Sequence, residues 1–125
     1  MFSRHAFVRH SLFAAALVLL APGAARAHAM LRSSDPIDGA TLNASPHALS
    51  LMFTHDCRVT AMRLFDEAGQ EHEVRREGGS AASSQANATM AVPLPPGAYR
   101  LEWRALGNDG HVMNGAVRFA VNASR

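Results

Sequence analysis

The sequence predicts an all-β domain, an antiparallel Greek-key sandwich or barrel of about seven short strands. Three observations carry that expectation. Apolar and polar residues alternate with period two in several segments, turns rich in Gly, Pro, Asn and Asp separate them, and helical periodicity is weak. The clearest segment is 98–105, where Tyr99, Leu101 and Trp103 alternate with Arg100, Glu102 and Arg104. A slip of one residue there would bury three charges, so the register is well specified.

From the N-terminal side, the first strand is expected over residues 30–33 and ends at Asp35-Pro36-Ile37-Asp38-Gly39. Residues 48–54 set Leu49, Leu51 and Phe53 on one face and Ser50, Met52 and Thr54 on the other. Strands over 59–65 and 70–75 are joined through Asp66-Glu67-Ala68-Gly69. The stretch 77–88 has little apolar content and no clear period, so it reads as a loop or weak strand without a function. A strand over 89–94 leads through Pro95-Pro96-Gly97 into 98–105, and one over 116–121 follows the turn at Asn108-Asp109-Gly110.

The first 27 residues read as a secretory signal peptide. Arg4 and Arg9 supply the positive start, 12–21 is an uncharged run, and Pro22-Gly23 breaks it ahead of Ala25-Arg26-Ala27, a small-residue cleavage site. The run is about ten residues, short of the roughly twenty that a spanning helix requires. The expected organisation is therefore a signal peptide over 1–27 and one domain over 28–125. The chain of 125 residues has a formal charge of +2, but Arg4, Arg9 and Arg26 leave with the signal peptide. Nine basic residues then face ten acidic ones, a charge of −1, which removes the electrostatic motive for nucleic-acid binding. Cys57 is the only cysteine, so no disulfide forms within the chain and packing must supply the stability. It reads as a small buried hydrophobe, with a reactive thiol or soft-metal ligand as the alternatives. No G-x-S-x-G element or Gly-rich phosphate loop supports hydrolase or nucleotide chemistry.

Cleavage after Ala27 makes His28 the first residue. A histidine there offers its α-amine and a ring nitrogen to one ion, a neutral nitrogen pair suited to Cu(II), which heads the divalent affinity order. A second element is Asp109-Gly110-His111, where an extended segment would project a carboxylate and an imidazole to one side. In isolation it is also an ordinary tight-turn sequence with an exposed histidine. His47 and His72 read as solvated, and Met30, Met52, Met62, Met90 and Met113 as core fillers.

An ordered set of short motifs runs through 28–121: His28-Ala29, Leu31, Ser33-Ser34-Asp35-Pro36 with Asp38-Gly39, Leu49-Ser50-Leu51-Met52-Phe53-Thr54, Leu94-Pro95-Pro96-Gly97-Ala98-Tyr99, Glu102-Trp103-Arg104, Asp109-Gly110-His111, and Gly115, Phe119 and Val121. This set resembles the CopC-like periplasmic copper-binding proteins of bacterial copper resistance. The resemblance implies a cupredoxin-like or immunoglobulin-like β-sandwich, and a Cu(II) ion held by His28 (amine and ring), Asp109 and His111. It further implies a non-enzymatic, periplasmic and monomeric protein that sequesters copper or delivers it to an inner-membrane copper-handling protein of the CopD type. No transmembrane segment follows Val121, so such a partner is expected to be a separate chain.

Two positions depart from the family pattern. His55 follows Phe53-Thr54 where some members have an acidic residue, and it reads as a further nitrogen ligand, a group hydrogen-bonded to Asp109, or an exposed strand-end histidine. Between Asp66 and Pro93 the chain has only Met90 and His72, which puts a separate Cu(I) site in doubt. Two alternatives stand beside the carrier: a copper mono-oxygenase with an N-terminal histidine brace, and a metal-independent immunoglobulin-like interaction module. Peroxide production by the copper-loaded protein would favour the first, and thermal unfolding indifferent to Cu(II) the second.

Overall fold

One strand of 19 residues, β3 (Ala48–Asp66), organises the molecule. The computed structural model describes residues 30–79 and 81–123, and all regular structure among them is β. The other strands are β1 (Leu31–Asp35), β2 (Ala40–Leu42), β4 (Glu71–His72), β5 (Val74–Arg76), β6 (Ser83–Met90), β7 (Gly97–Gly107) and β8 (Val112–Val121). They form a curled sheet in the order β2-β8-β7-β3-β6-β5, with β1 and β4 also paired to β3.

The two strands expected over 48–54 and 59–65 are one continuous strand, because β3 changes neighbours instead of ending. Its first part lies between β1 and β6, and its second between β7 and the end of β6, then β4. The exchange happens across an irregularity between Met52 and Cys57, where β3 advances five residues while β6 advances only from Gln85 to Ser83. Such a bulge bends a strand and raises its twist, which lets one strand serve both halves of a sandwich. Leu49, Leu51 and Phe53 are buried as the alternation requires, and so are Cys57 and Val59. A second shift between Val59 and Ala61 moves burial to Met62 and Leu64.

The largest departure from the sequence-based strands is β6. It occupies 83–90 rather than 89–94, and takes up much of the stretch expected to be a loop or weak strand. Its core-facing residues are Ala86 and Ala88, too small to announce a strand by hydropathy. Asn87, on the other face, accepts a hydrogen bond from Ser50 Oγ at 2.8 Å. The segment expected over 70–75 is split into β4 on β3 and β5 on β6, and β2 is a short strand parallel to β8 in an otherwise antiparallel arrangement.

The core is built where Tyr99, Leu101, Trp103 and Ala105 of β7 meet β3 and β8. Burying a large apolar side chain contributes about 1.5–3 kcal/mol each. Phe53 meets the Trp103 ring edge-on at 5.2 Å, and Tyr99 stacks on Phe119. Trp103 lies opposite Gly115, and an added Cβ at 115 would fall 2.7 Å from Trp103 Cζ2. Because that ring is buried and also packs against Phe53, Gly115→Ala is expected to cost about 1–3 kcal/mol of stability in chemical unfolding.

His72, expected to be solvated, is instead half-buried. Its flanking Glu71 and Glu73 point to solvent, so period two turns His72 inward, where Nε2 lies 2.9 Å from Asp66 Oδ2 and the ring sits edge-on to Tyr99. Tyr99 OH in turn donates to the Pro95 carbonyl. The bond to His72, joined by the Gln70 amide, holds the Asp66 carboxyl below the ordinary carboxylate range. A carboxyl depressed by folding adds stability above its unfolded value of about 4, and that stability is lost as pH falls through the lower folded value. Thermal unfolding is therefore expected to show a fall in stability below about pH 4 that is smaller in Asp66→Asn.

Candidate metal centre

Three chain segments converge on the corner where β3 bends. β1 pairs with β3 through Phe53, and just before it Thr54 N–H donates to Met30 O (2.9 Å) while Met30 N–H donates to Thr54 Oγ1 (3.0 Å). β7 joins the same edge of β3, opposite β6, beginning with Gly107 against Cys57. The start of β1 and the end of β7 thus approach one another along a single edge, separated by His55 and Asp56. The parity of β3 would bury His55, but the bulge turns it to solvent and leaves it exposed.

From Gly107 the chain enters the turn that carries the candidate pair. Gly110 N–H donates to Gly107 O (3.0 Å) and Gly107 N–H to His111 O (2.9 Å), closing the loop. Asp109 and His111 do come together, though by a different route from the extended segment expected. Asp109 Oδ1 accepts the His111 backbone N–H at 3.0 Å, and Oδ2 lies 2.8 Å from His111 Nδ1. An Asp side chain that caps the amide two residues on is a standard device of tight turns. Any Cβ at Gly107 would fall 2.8 Å from Asp109 Oδ1, so a glycine is required there for the carboxylate to sit close to the strand end. The contact holds the carboxylate and the imidazole side by side at the surface.

Cys57 lies beneath this corner at 1% exposure. Burial, with Asp56 adding to it, pushes its thiol up from the ordinary value, so it stays protonated and acts as a small hydrophobe. Met62 is buried and Met90 and Met113 pack on the core as expected, but Met30 (65%) and Met52 (43%) are exposed. Both precede or flank the bend, on the outward face that Thr54 shares.

A family model described as the CopC domain matches residues 31–122. The chain belongs to the CopC family. Copper resistance protein C of Xanthomonas campestris pv. juglandis is 33% identical, over 82% of this chain and 86% of its own length. Copper resistance protein C of Pseudomonas syringae pv. tomato is 31% identical over 97% and 98%. The crystal structure of CopC from Methylosinus trichosporium OB3b superposes with a TM-score of 0.68 at 23% identity, covering 76% of this chain and 94% of that one. PcoC, a methionine rich copper resistance protein from Escherichia coli, gives 0.63 at 26% identity, covering 77% and 100%. The two solved structures agree with the all-β architecture, and the two sequence relatives are named as copper resistance proteins.

Of the residues singled out in the sequence, the structure brings Asp109 and His111 into contact, and it sets His55 at the bend toward which their loop leads. Among the described residues no group of three or more His, Cys, Asp or Glu side chains gathers closely enough to hold a metal. His28 lies outside the described residues. Sequence reasoning missed Thr54, whose backbone and hydroxyl fix the start of β1. Its only signal was an outward position at a strand end.

Proposed function

We propose that the protein is a periplasmic, monomeric Cu(II) carrier without enzymatic activity, which sequesters copper or hands it to an inner-membrane CopD-type protein. The ion is cargo, held by the amine and ring of His28 together with Asp109 and His111, with His55 beside them. The observation that carries this reading is the convergence of the Met30 backbone and the 107–111 turn on one edge of β3. His28 stands two positions ahead of Met30, a reach of at most about 7 Å. The incomplete donor pair of Asp109 and His111 is then completed from the segment ahead of Met30. Amine, imidazole and carboxylate donors suit the tetragonal preference of Cu(II), whereas Cys57 is buried beneath the corner.

The reading requires cleavage after Ala27, because one extra residue would abolish the amine–ring chelate. Intact mass of the exported protein is expected to place its terminus at His28, and titration is expected to give one tight Cu(II) per chain, followed through quenching of Trp103, the only tryptophan. A terminus elsewhere, or only weak and heterogeneous binding, would sink the carrier reading. Asp109→Asn keeps the shape of the side chain but removes the carboxylate charge that it offers the ion. It is expected to lower Cu(II) affinity about 10–100-fold in competition with a chelator.

A further inference from the structure

The outward faces of β3, β7 and β8 carry a strongly cationic surface in a chain that is otherwise rich in acids. Arg63, Arg100, Arg104 and Arg118 surround a groove of about 730 Å³ with the small Ala61, Gly115 and Ala116 among its lining residues. Arg63 is paired with Glu71 at 2.9 Å and Arg100 with Glu102 at 2.9 Å. The side chains of Arg104 and Arg118 make no ion pair with any described residue. Arg118 moreover stands directly across from Arg100 on the same face. Like charges in that position destabilise a sheet, and although the Asp38 carboxylate accepts the Arg118 backbone N–H at 2.8 Å, the Arg118 guanidinium itself makes no ion pair with a described residue.

We propose that this groove docks an extended acidic segment of a partner protein. Arg100 and Arg104 are four residues apart on β7, about 13 Å at the rise of a strand. An extended partner segment with carboxylates four positions apart matches that spacing: one meets Arg104 and the other the Arg100–Arg118 pair. Glu102, midway between them, favours a neutral or basic residue at the partner's middle position. Guanidinium groups grip carboxylates through two parallel hydrogen bonds, so the match is geometric as well as electrostatic. A lipid surface fits less well, because attraction to anionic headgroups is worth only about 1 kcal/mol per basic group and Glu102 sits at the centre of the face. The β7 strand that lines the groove runs on to Gly107, so a docked partner lies beside the turn carrying Asp109 and His111. The surface is the docking face of the carrier proposed above and rests on that reading only for the identity of the cargo.

The test is titration of the isotope-labelled, copper-free protein with a synthetic peptide carrying two glutamates four positions apart and a lysine midway, read by backbone amide shifts. Shifts confined to the outward positions of β3, β7 and β8 are expected. The double variant Arg104→Glu, Arg118→Glu is expected to bind about tenfold or more weakly. Arg75→Glu, on the remote β5, should bind as the parent does. The Arg118 substitution creates an opposite-charge pair with Arg100, which favours folding, and Arg104→Gln with Arg118→Gln serves if the spectrum of the first double variant is not native. Absence of peptide binding, equal binding by a natively folded double variant, or binding to phosphatidylglycerol vesicles in place of the peptide would each overturn the proposal. Cu(II) titration of the same variants separates the two readings, since failure at the groove leaves copper affinity unchanged.

Discussion

His111→Ala is expected to weaken Cu(II) binding by more than about 100-fold. Disturbing only a residue that orients a ligating histidine costs about 10–100-fold, and here the donor itself is removed. The copper-free protein should barely notice. The His111 side chain is 53% exposed, and its contact with Asp109 is a surface pair of the kind worth at most about 1 kcal/mol. Copper bound only by the native state stabilises it by mass action, so the rise in unfolding temperature that Cu(II) gives the parent should vanish in the variant. A chelator competition and a pair of melting curves check both halves. An unchanged affinity would remove the 107–111 turn from the site.

The converse behaviour is expected of Leu101→Ala. Leu101 is 2% exposed at the centre of β7, opposite Leu64 of β3 and Val117 of β8, both fully buried. Removing most of its side chain leaves a cavity walled by strands on two sides that cannot collapse easily. The expected loss is about 2–5 kcal/mol in denaturant unfolding, a large share of the roughly 5–15 kcal/mol that holds a domain together. Cu(II) affinity of the folded fraction should be unaltered, because β7 still ends in the same Gly107 turn.

These two residues illustrate what is legible in the sequence and what is not. Leu101 belongs to an alternation of large apolar and charged residues, and such a strand declares both its existence and its inward face. β6 does not, because Ala86 and Ala88 fill narrow spaces and give no hydropathic signal. β2 is short and is held by pairing to β8 rather than by a pattern of its own. The continuity of β3 escapes because its first bulge leaves His55 exposed at a position whose parity says buried and its second shifts the alternation after Val59. Asp109 and His111 are legible as a pair, yet what joins them is turn chemistry rather than strand geometry. The inward turn of His72 follows from the same period two that was read elsewhere, hidden by two flanking glutamates.

The most direct test of the Cu(II) site is paramagnetic resonance of the protein whose terminus has been verified at His28, loaded with one equivalent of Cu(II), beside a version carrying a single glycine ahead of His28. One nitrogen-rich tetragonal signal is expected in the first, and its loss or replacement in the second. The same signal in both would contradict the amine–imidazole chelate and with it the proposed site.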